Sequence, residues 1–230
     1  MKRFWTSAAA VPEAEGWGVR LDERPLRTPA RALLVVPTQP LAQAIAGEWS
    51  EASDNVDPRA MPLTGLANAA IDRVAPDPEA FARTLAHYGE SDLLCYRSEA
   101  PAALAARQAA AWDPILAWAR RRFDVNFTVT AGVIHRPQPP DTIVQLAQAV
   151  AARDPFELAA LSPLVTISGS LVIALALAEE AIGLETAWAA ATLDEAWQAE
   201  QWGEDSEATA RLEARRAEFE AAERFLRLLR

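Results

Sequence analysis

The spacing of apolar residues changes period once, near Pro37, and that change limits what the chain can fold into. Before it, Trp17, Val19 and Leu21 alternate with Gly18 and Arg20, the two-residue period of a half-buried strand. Asp22-Glu23 can turn the chain, Leu26 and Thr28 resume the alternation, and Leu33-Leu34-Val35-Val36 reads as another short strand ended by Pro37. Beyond it, Thr38 can cap a helix that carries Leu41, Ile45 and Trp49 at four-residue steps. Leu63, Leu66, Ala67, Ala70, Ile71 and Val74 then repeat at three- and four-residue intervals, the strongest amphipathic signal in the chain. Alanine, at 51 of 230 residues, favours helix and fills a core poorly, so it reinforces the helical reading. The expected fold is α+β. A small N-terminal antiparallel β part covers residues 1–37, and a larger, mainly α-helical domain covers 38–230, with isolated strands near 93–96 and 125–131.

Four Asp-Pro pairs punctuate the helical part, at Asp57-Pro58, Asp77-Pro78, Asp113-Pro114 and Asp154-Pro155. Aspartate accepts from the free amides of a helix start, and proline in the first turn loses no hydrogen bond there. Helices are therefore expected to begin at Pro78 and Pro155, and Asp113-Pro114 to begin or kink a helix through Ile115 and Trp118. Gly183 and Gly203 read as helix stops, with two long helices over 185–201 and 206–229 closing the chain. The apolar run Leu164–Ala178 is interrupted by Thr166, Ser168, Gly169 and Ser170 and closed by Glu179-Glu180. It falls short of the roughly 20 apolar residues a membrane span needs, so it reads as a buried core helix.

Met1-Lys2-Arg3-Phe4-Trp5-Thr6 lacks the apolar stretch of a signal peptide, and Glu13 and Glu15 are out of place in an organelle presequence. One cysteine, Cys95, excludes an internal disulfide framework and fits a reducing compartment. The expected location is cytoplasmic.

The net charge of −10 is concentrated. Residues 179–210 hold nine acidic side chains and no lysine or arginine, so they account for all but one of the ten net negative charges. Such a segment repels phosphate backbones, which argues against nucleic acid as a partner. It suits a basic protein surface, a metal ion or plain solubility.

The residues that usually carry chemistry are sparse. His87 and His135 stand 48 positions apart, and only Glu90 lies at ligand spacing from either, so no metal site is expected. Cys95 has no adjacent base and reads as a buried thiol. Gly16-Trp17-Gly18 has no third glycine and no following helix, so no phosphate cradle is expected. Ser168-Gly169-Ser170 imitates a nucleophile elbow but lacks its second glycine, and Ser170 reads as a helix cap. No cofactor is implied. A carboxylate-dependent metal enzyme or hydrolase using the acidic segment 179–210 is the rival reading. The last helix, rich in Arg211, Arg215, Arg216, Arg224 and Arg227, also carries Glu213, Glu218, Glu220 and Glu223. Internal ion pairs on a solvated helix explain it better than membrane binding, and no stable membrane insertion is expected.

The acidic segment also contains Trp197 and Trp202. Glu195, Glu204, Asp205 and Glu207 lie around them without a basic residue in the segment. Aromatic area beside uncompensated carboxylates suits protein binding, where the ring supplies contact and the charge supplies orientation. The alternative is that both rings are core and the acids solvate the back of a helix.

Seven blocks, in order, resemble one family. They are Arg3-Phe4-Trp5; Leu21-Asp22-Glu23-Arg24-Pro25-Leu26-Arg27-Thr28-Pro29; Glu48-Trp49; Met61-Pro62-Leu63-Thr64; Asp92-Leu93-Leu94-Cys95-Tyr96-Arg97; Trp112-Asp113-Pro114; and Leu193-Asp194-Glu195-Ala196-Trp197-Gln198 with Trp202-Gly203-Glu204-Asp205. The chain resembles a bacterial member of the assembly chaperones that bind the alpha subunit of the ATP synthase catalytic head. The resemblance implies a non-enzymatic chaperone that holds unassembled alpha subunits and shields their subunit interface until assembly. It also implies a functional acid just after the Trp-Gly pair. Its spacing falls on Ser206, between two carboxylates, and points to Glu207 with Glu204 and Asp205 as substitutes. The candidate partner-binding set is thus Glu207, Asp205, Glu204, Trp202, Trp197 and Glu195.

Overall fold

The computed structural model describes residues 2–132, 134–203 and 205–230. Strands β1 (Ala8–Glu13) and β2 (Gly16–Leu21) form an antiparallel hairpin, with Ala8 opposite Leu21 and Glu13 opposite Gly16. The alternation did not mark β1, because Ala8-Ala9-Ala10-Val11 has no polar-apolar contrast; its pairing with β2 makes it a strand. Gly16 stands at φ +146°, and a Cβ there would lie 2.4 Å from the Val36 carbonyl oxygen, so the hairpin end excludes any side chain. Two short strands, β3 (Arg24–Pro25) and β4 (Val35–Val36), also pair antiparallel with β2. Asp22 makes the intervening turn at φ 53° and accepts from the amides of Ser7 and Thr6 at 3.0 and 3.1 Å.

The sheet packs against helix α1 (Gln39–Glu51), burying Val19, Leu21 and Val36 with Leu41, Ile45 and Trp49. Thr38 caps α1 as expected, its hydroxyl accepting from Leu41 N at 3.4 Å. Glu48, near the end of α1, caps the next helix, α2 (Pro62–Ala69). Its carboxylate accepts from Leu63 N at 2.7 Å, Thr64 N at 2.8 Å and the Thr64 hydroxyl at 2.6 Å. Burial pushes this carboxyl above its ordinary range, and the three donors oppose that rise. The adjacent indoles lock in the same way. Trp49 donates to the Thr64 hydroxyl at 3.1 Å and Trp5 to the Trp49 carbonyl at 3.0 Å, with the rings 5.0 Å apart. Beyond α2 the chain continues through a wider turn at Ala70–Val74, and Leu63, Ala67, Ala70 and Val74 form the buried stripe of the predicted amphipathic segment. Residues Met1–Pro78, Asp154–Ala160 and Ala221–Arg230 make up one compact unit.

The second unit comprises Glu79–Arg153 and Leu161–Glu220. Its elements are drawn from α3 (Pro78–Ala86), β5 (Tyr96–Arg97), α4 (Ala102–Phe123), β6 (Thr130–Ala131), α5 (Pro140–Ala151), α6 (Pro155–Ser168), α7 (Leu171–Ala178), α8 (Leu184–Ala191), α9 (Leu193–Trp202) and α10 (Ser206–Leu228). Helix α7 is its centre: all eight residues are buried, against α4 and α8 among others. The fold is α+β.

Several expectations change in detail. The apolar run is two helices rather than one, because Gly169 turns at φ +66° and Ser170 starts α7, its hydroxyl accepting from Ile173 N at 3.0 Å. Asp113-Pro114 lies inside α4, and Asp113 turns outward to accept from Arg97 Nη2 at 2.8 Å. The helix expected over 185–201 breaks at Thr192, giving α8 and α9. Leu93–Cys95 is a 3-10 turn, and the strand pairing near it is the two-residue parallel pair β5–β6. Residues 125–129 do not pair as a strand: the amides of Asn126 and Thr128 donate instead to the side chains of Thr142 and Gln138 at 3.2 and 2.9 Å. Among the described residues, no helix is long and apolar enough to cross a membrane.

Candidate functional site

Helices α9 and α10 meet at a tight corner in the second unit. Leu193 anchors the start of α9 in the core, and Gly203 ends the helix at φ +88°, donating its N–H to the Ala199 carbonyl at 2.9 Å. That left-handed turn favours glycine and confirms the predicted stop. Asp205 starts α10 by accepting from Ala208 N at 2.8 Å. Between the two helices lies an open groove of about 510 Å³ with Ala196, Ala199, Ala208 and Leu212 in its walls. Trp202 stands at its edge with 79% of its surface exposed.

Arginines from outside the acidic segment hold this corner. Arg215 donates to the Ile167 carbonyl at 2.9 Å and to Glu195 at 3.3 Å, tying α10 to α6 and α9. Arg107 on α4 grips Glu200 at 2.6 Å, and that hydrogen bond holds the Glu200 carboxyl below the usual range. Gln108 donates to Asp194 at 2.8 Å. The same pairing extends through the segment: Glu179 meets Arg122 and Arg153, Glu185 meets Arg216, and Glu207 meets Arg211. Four of the carboxylates that the sequence presents as uncompensated, Glu179, Glu185, Glu195 and Glu200, are therefore paired with arginines at a distance in the chain that a window of residues does not reveal. In α10, Arg211 and Arg216 make the expected pairs within the helix, whereas Arg215 and Arg216 also reach other helices.

The structure separates the six candidate residues. Trp202 is exposed and Trp197 half-buried. Glu195 and Asp205 line the groove, Glu195 through its pair with Arg215 and Asp205 as a helix cap. Glu207 is exposed in the first turn of α10. Glu204 lies outside the described residues. Ala208, Leu212 and Arg215 also line the groove, and their signal in the sequence is the small apolar residues repeating on the facing turns of α9 and α10.

Other candidate groups are accounted for by packing. Cys95 is fully buried, and burial together with the neighbouring Asp92 charge pushes its thiol up to about 12, far from a nucleophile. His87 pairs with Glu90 at 3.0 Å and His135 with the Tyr96 hydroxyl at 2.9 Å, both at the surface. Among the described residues, no three histidine, cysteine or acidic side chains are gathered so as to hold a metal ion.

The residues that carry the family resemblance are mostly locks of the fold. Trp5, Glu48, Trp49 and Thr64 form the network described above. In the second unit, Arg97 lies 4.9 Å over the Trp112 ring while pairing with Asp113, and the Trp112 indole donates to the Ala190 carbonyl at 2.9 Å. The family described as ATP12 chaperone protein matches residues 2–120, just over half of the chain. The chain belongs to the ATP12 chaperone family. That match ends within α4, but solved ATP12 structures extend the likeness through the α9–α10 corner. Atp12 from Paracoccus denitrificans is 47% identical with a TM-score of 0.95, over 100% of this chain and 98% of that one. An Asp-to-Lys mutant of the same Paracoccus protein gives the same values. A protein from Agrobacterium tumefaciens is 42% identical with a TM-score of 0.95, over 100% of this chain and 86% of that one. The mitochondrial Atp12 of Schizosaccharomyces pombe is 25% identical over 214 residues, spanning 88% of this chain and 74% of that protein.

Proposed function

We propose that this ATP12-family chain is a non-enzymatic, cytoplasmic assembly chaperone that binds the unassembled alpha subunit of the F-type ATP synthase catalytic head. It shields the subunit interface until assembly. Family membership and the resemblance across seven blocks support the client; the exposed Trp202 ring at an apolar-walled, carboxylate-flanked corner supports the contact surface. A large ring that is not spent on the core is suited to a hot spot, and surrounding charges set orientation and on-rate. Glu207 suits the same role, because its partner Arg211 is a solvent-exposed neighbour that a client arginine can replace.

The test is retention of purified alpha subunit by the full chain. Trp202→Ala and Glu207→Lys are each expected to weaken retention at least tenfold. Far-UV circular dichroism should be unchanged, and the melting temperature should move by no more than about 3 °C. Wild-type retention should weaken as salt rises. A wild type that does not retain the subunit overturns the proposal. Retention that is unaltered in both variants overturns the assignment of the surface.

A further inference from the structure

The first unit contains a second groove of about 510 Å³, formed between the β2–β4 region and α2. Its floor is apolar, with Leu26, Trp49 and Met61, and Phe4 stands at its side with 56% of its surface exposed. Among the described residues lining it, the charged side chains are both arginines, Arg24 and Arg27. Arg24 lies 5.7 Å over the Phe4 ring, and Arg27 donates to the Arg31 carbonyl at 2.8 Å, which leaves further N–H groups of its fork for a ligand. The wall also presents Asn68, whose side-chain oxygen is buried without a hydrogen-bond donor. A buried acceptor left in that state is costly unless something supplies an N–H.

We infer that this groove binds an extended, acidic and apolar segment of a polypeptide partner. An apolar side chain fills the floor, a flanking carboxylate meets Arg24 or Arg27, and a peptide N–H satisfies Asn68. The α9–α10 groove differs in being lined by both signs, Glu195 and Asp205 with Arg211 and Arg215, so the two surfaces select chemically different segments. The inference rests on the chaperone reading only for the source of that segment; the groove's chemistry does not depend on which subunit supplies it.

Gly65 permits a clean test. It lines the groove, is exposed on α2, and a Cβ added there meets nothing within 4 Å. The backbone at Gly65 therefore accepts a side chain, and Gly65→Phe should obstruct the groove with improved helix propensity. The probe is an end-blocked, fluorescein-labelled hexapeptide of alternating glutamate and leucine, followed by anisotropy with the full chain, with a lysine-leucine hexapeptide as comparison. The acidic probe is expected to bind saturably, and at least tenfold more weakly to Gly65→Phe and to Arg24→Glu, while the basic probe binds at least tenfold more weakly to the wild type. No saturable binding, equal binding of the two probes, or acidic-probe binding that both variants leave unchanged overturns the inference. Self-association that Gly65→Phe abolishes, without peptide binding, overturns it in favour of a second copy as occupant. Retention of alpha subunit by a wild type that does not bind the probe leaves the proposed function standing and removes this groove; the reverse result leaves the groove and removes that client.

Discussion

Trp49→Arg is expected to destabilise the protein by about 4 kcal/mol or more, enough to exhaust much of a typical stability. The Trp49 ring is 8% exposed, packed at 5.0 Å from Trp5, and its N–H satisfies the Thr64 hydroxyl. Removing a buried aromatic ring alone costs about 3–5 kcal/mol. The arginine adds a charge beside a sheet–helix core, and Glu48 can answer it only by giving up the donors with which it caps α2. Trp49→Phe, which keeps most of the ring and loses the hydrogen bond, should cost about 1–2 kcal/mol. Urea unfolding of both variants measures the difference. A Trp49→Arg protein with wild-type stability that no longer retains alpha subunit would reassign Trp49 from core to client surface.

Asp92→Ala should cost about 3–5 kcal/mol. Asp92 is fully buried, and it accepts from Leu94 N at 3.0 Å, the Ser170 hydroxyl at 2.7 Å and Val172 N at 2.9 Å. It thereby joins the 3-10 turn before β5 to the start of α7, the central helix of its unit. Alanine would strand two buried amides and force the hydroxyl to find another acceptor, each at a cost of about 1–3 kcal/mol. The same carboxyl carries a pH signature. Burial raises it from 3.8 to about 6, against the hydrogen bonds that lower it. Between those values the native state holds the proton and the unfolded state does not, so this group's contribution to stability is complete below pH 3.8 and is lost as pH rises through 6. Relative to an Asp92→Asn variant, which has no such titration, the wild type should lose on the order of 3 kcal/mol between pH 4 and pH 7. Paired urea curves at pH 4, 5, 6 and 7 provide the measurement. A flat difference between the two proteins would show that Asp92 does not titrate in that range.

Both residues belong to blocks that carry the family resemblance, and both act inside the fold. Glu48-Trp49 and Met61-Pro62-Leu63-Thr64 are one object in space, as are Asp92 and Ser170, because a cap or an indole N–H can be satisfied from any part of the chain. The corner at α9 and α10 has a different character. Its exposed Trp202, the stop at Gly203 and the exposed first turn of α10 owe little to distant residues. Its charge does not: Arg107 and Arg215 reach Glu200 and Glu195 from 93 and 20 positions away and convert a bare acidic run into a braced one.

The sequence was most informative where the physics is local. Period two before Pro37 and period 3.6 after it gave the α+β class. Aspartate-proline and glycine chemistry marked Pro78, Pro155 and Gly203, because caps and left-handed turns involve residues a few positions apart. Tertiary structure decided the rest. Strand β1 exists because β2 offers it a partner, residues 125–129 are not paired as a strand because side chains take up the amides of Asn126 and Thr128, and the helix over 185–201 breaks at Thr192. It also decided which rings and charges remain for a partner. Trp49 and Trp202 are the same residue type in similar helical spacing, yet one is sealed by Trp5 and Thr64 and the other stands in solvent. Burial and ion pairing depend on which segments meet, and that is set by long-range packing rather than by neighbours in the chain.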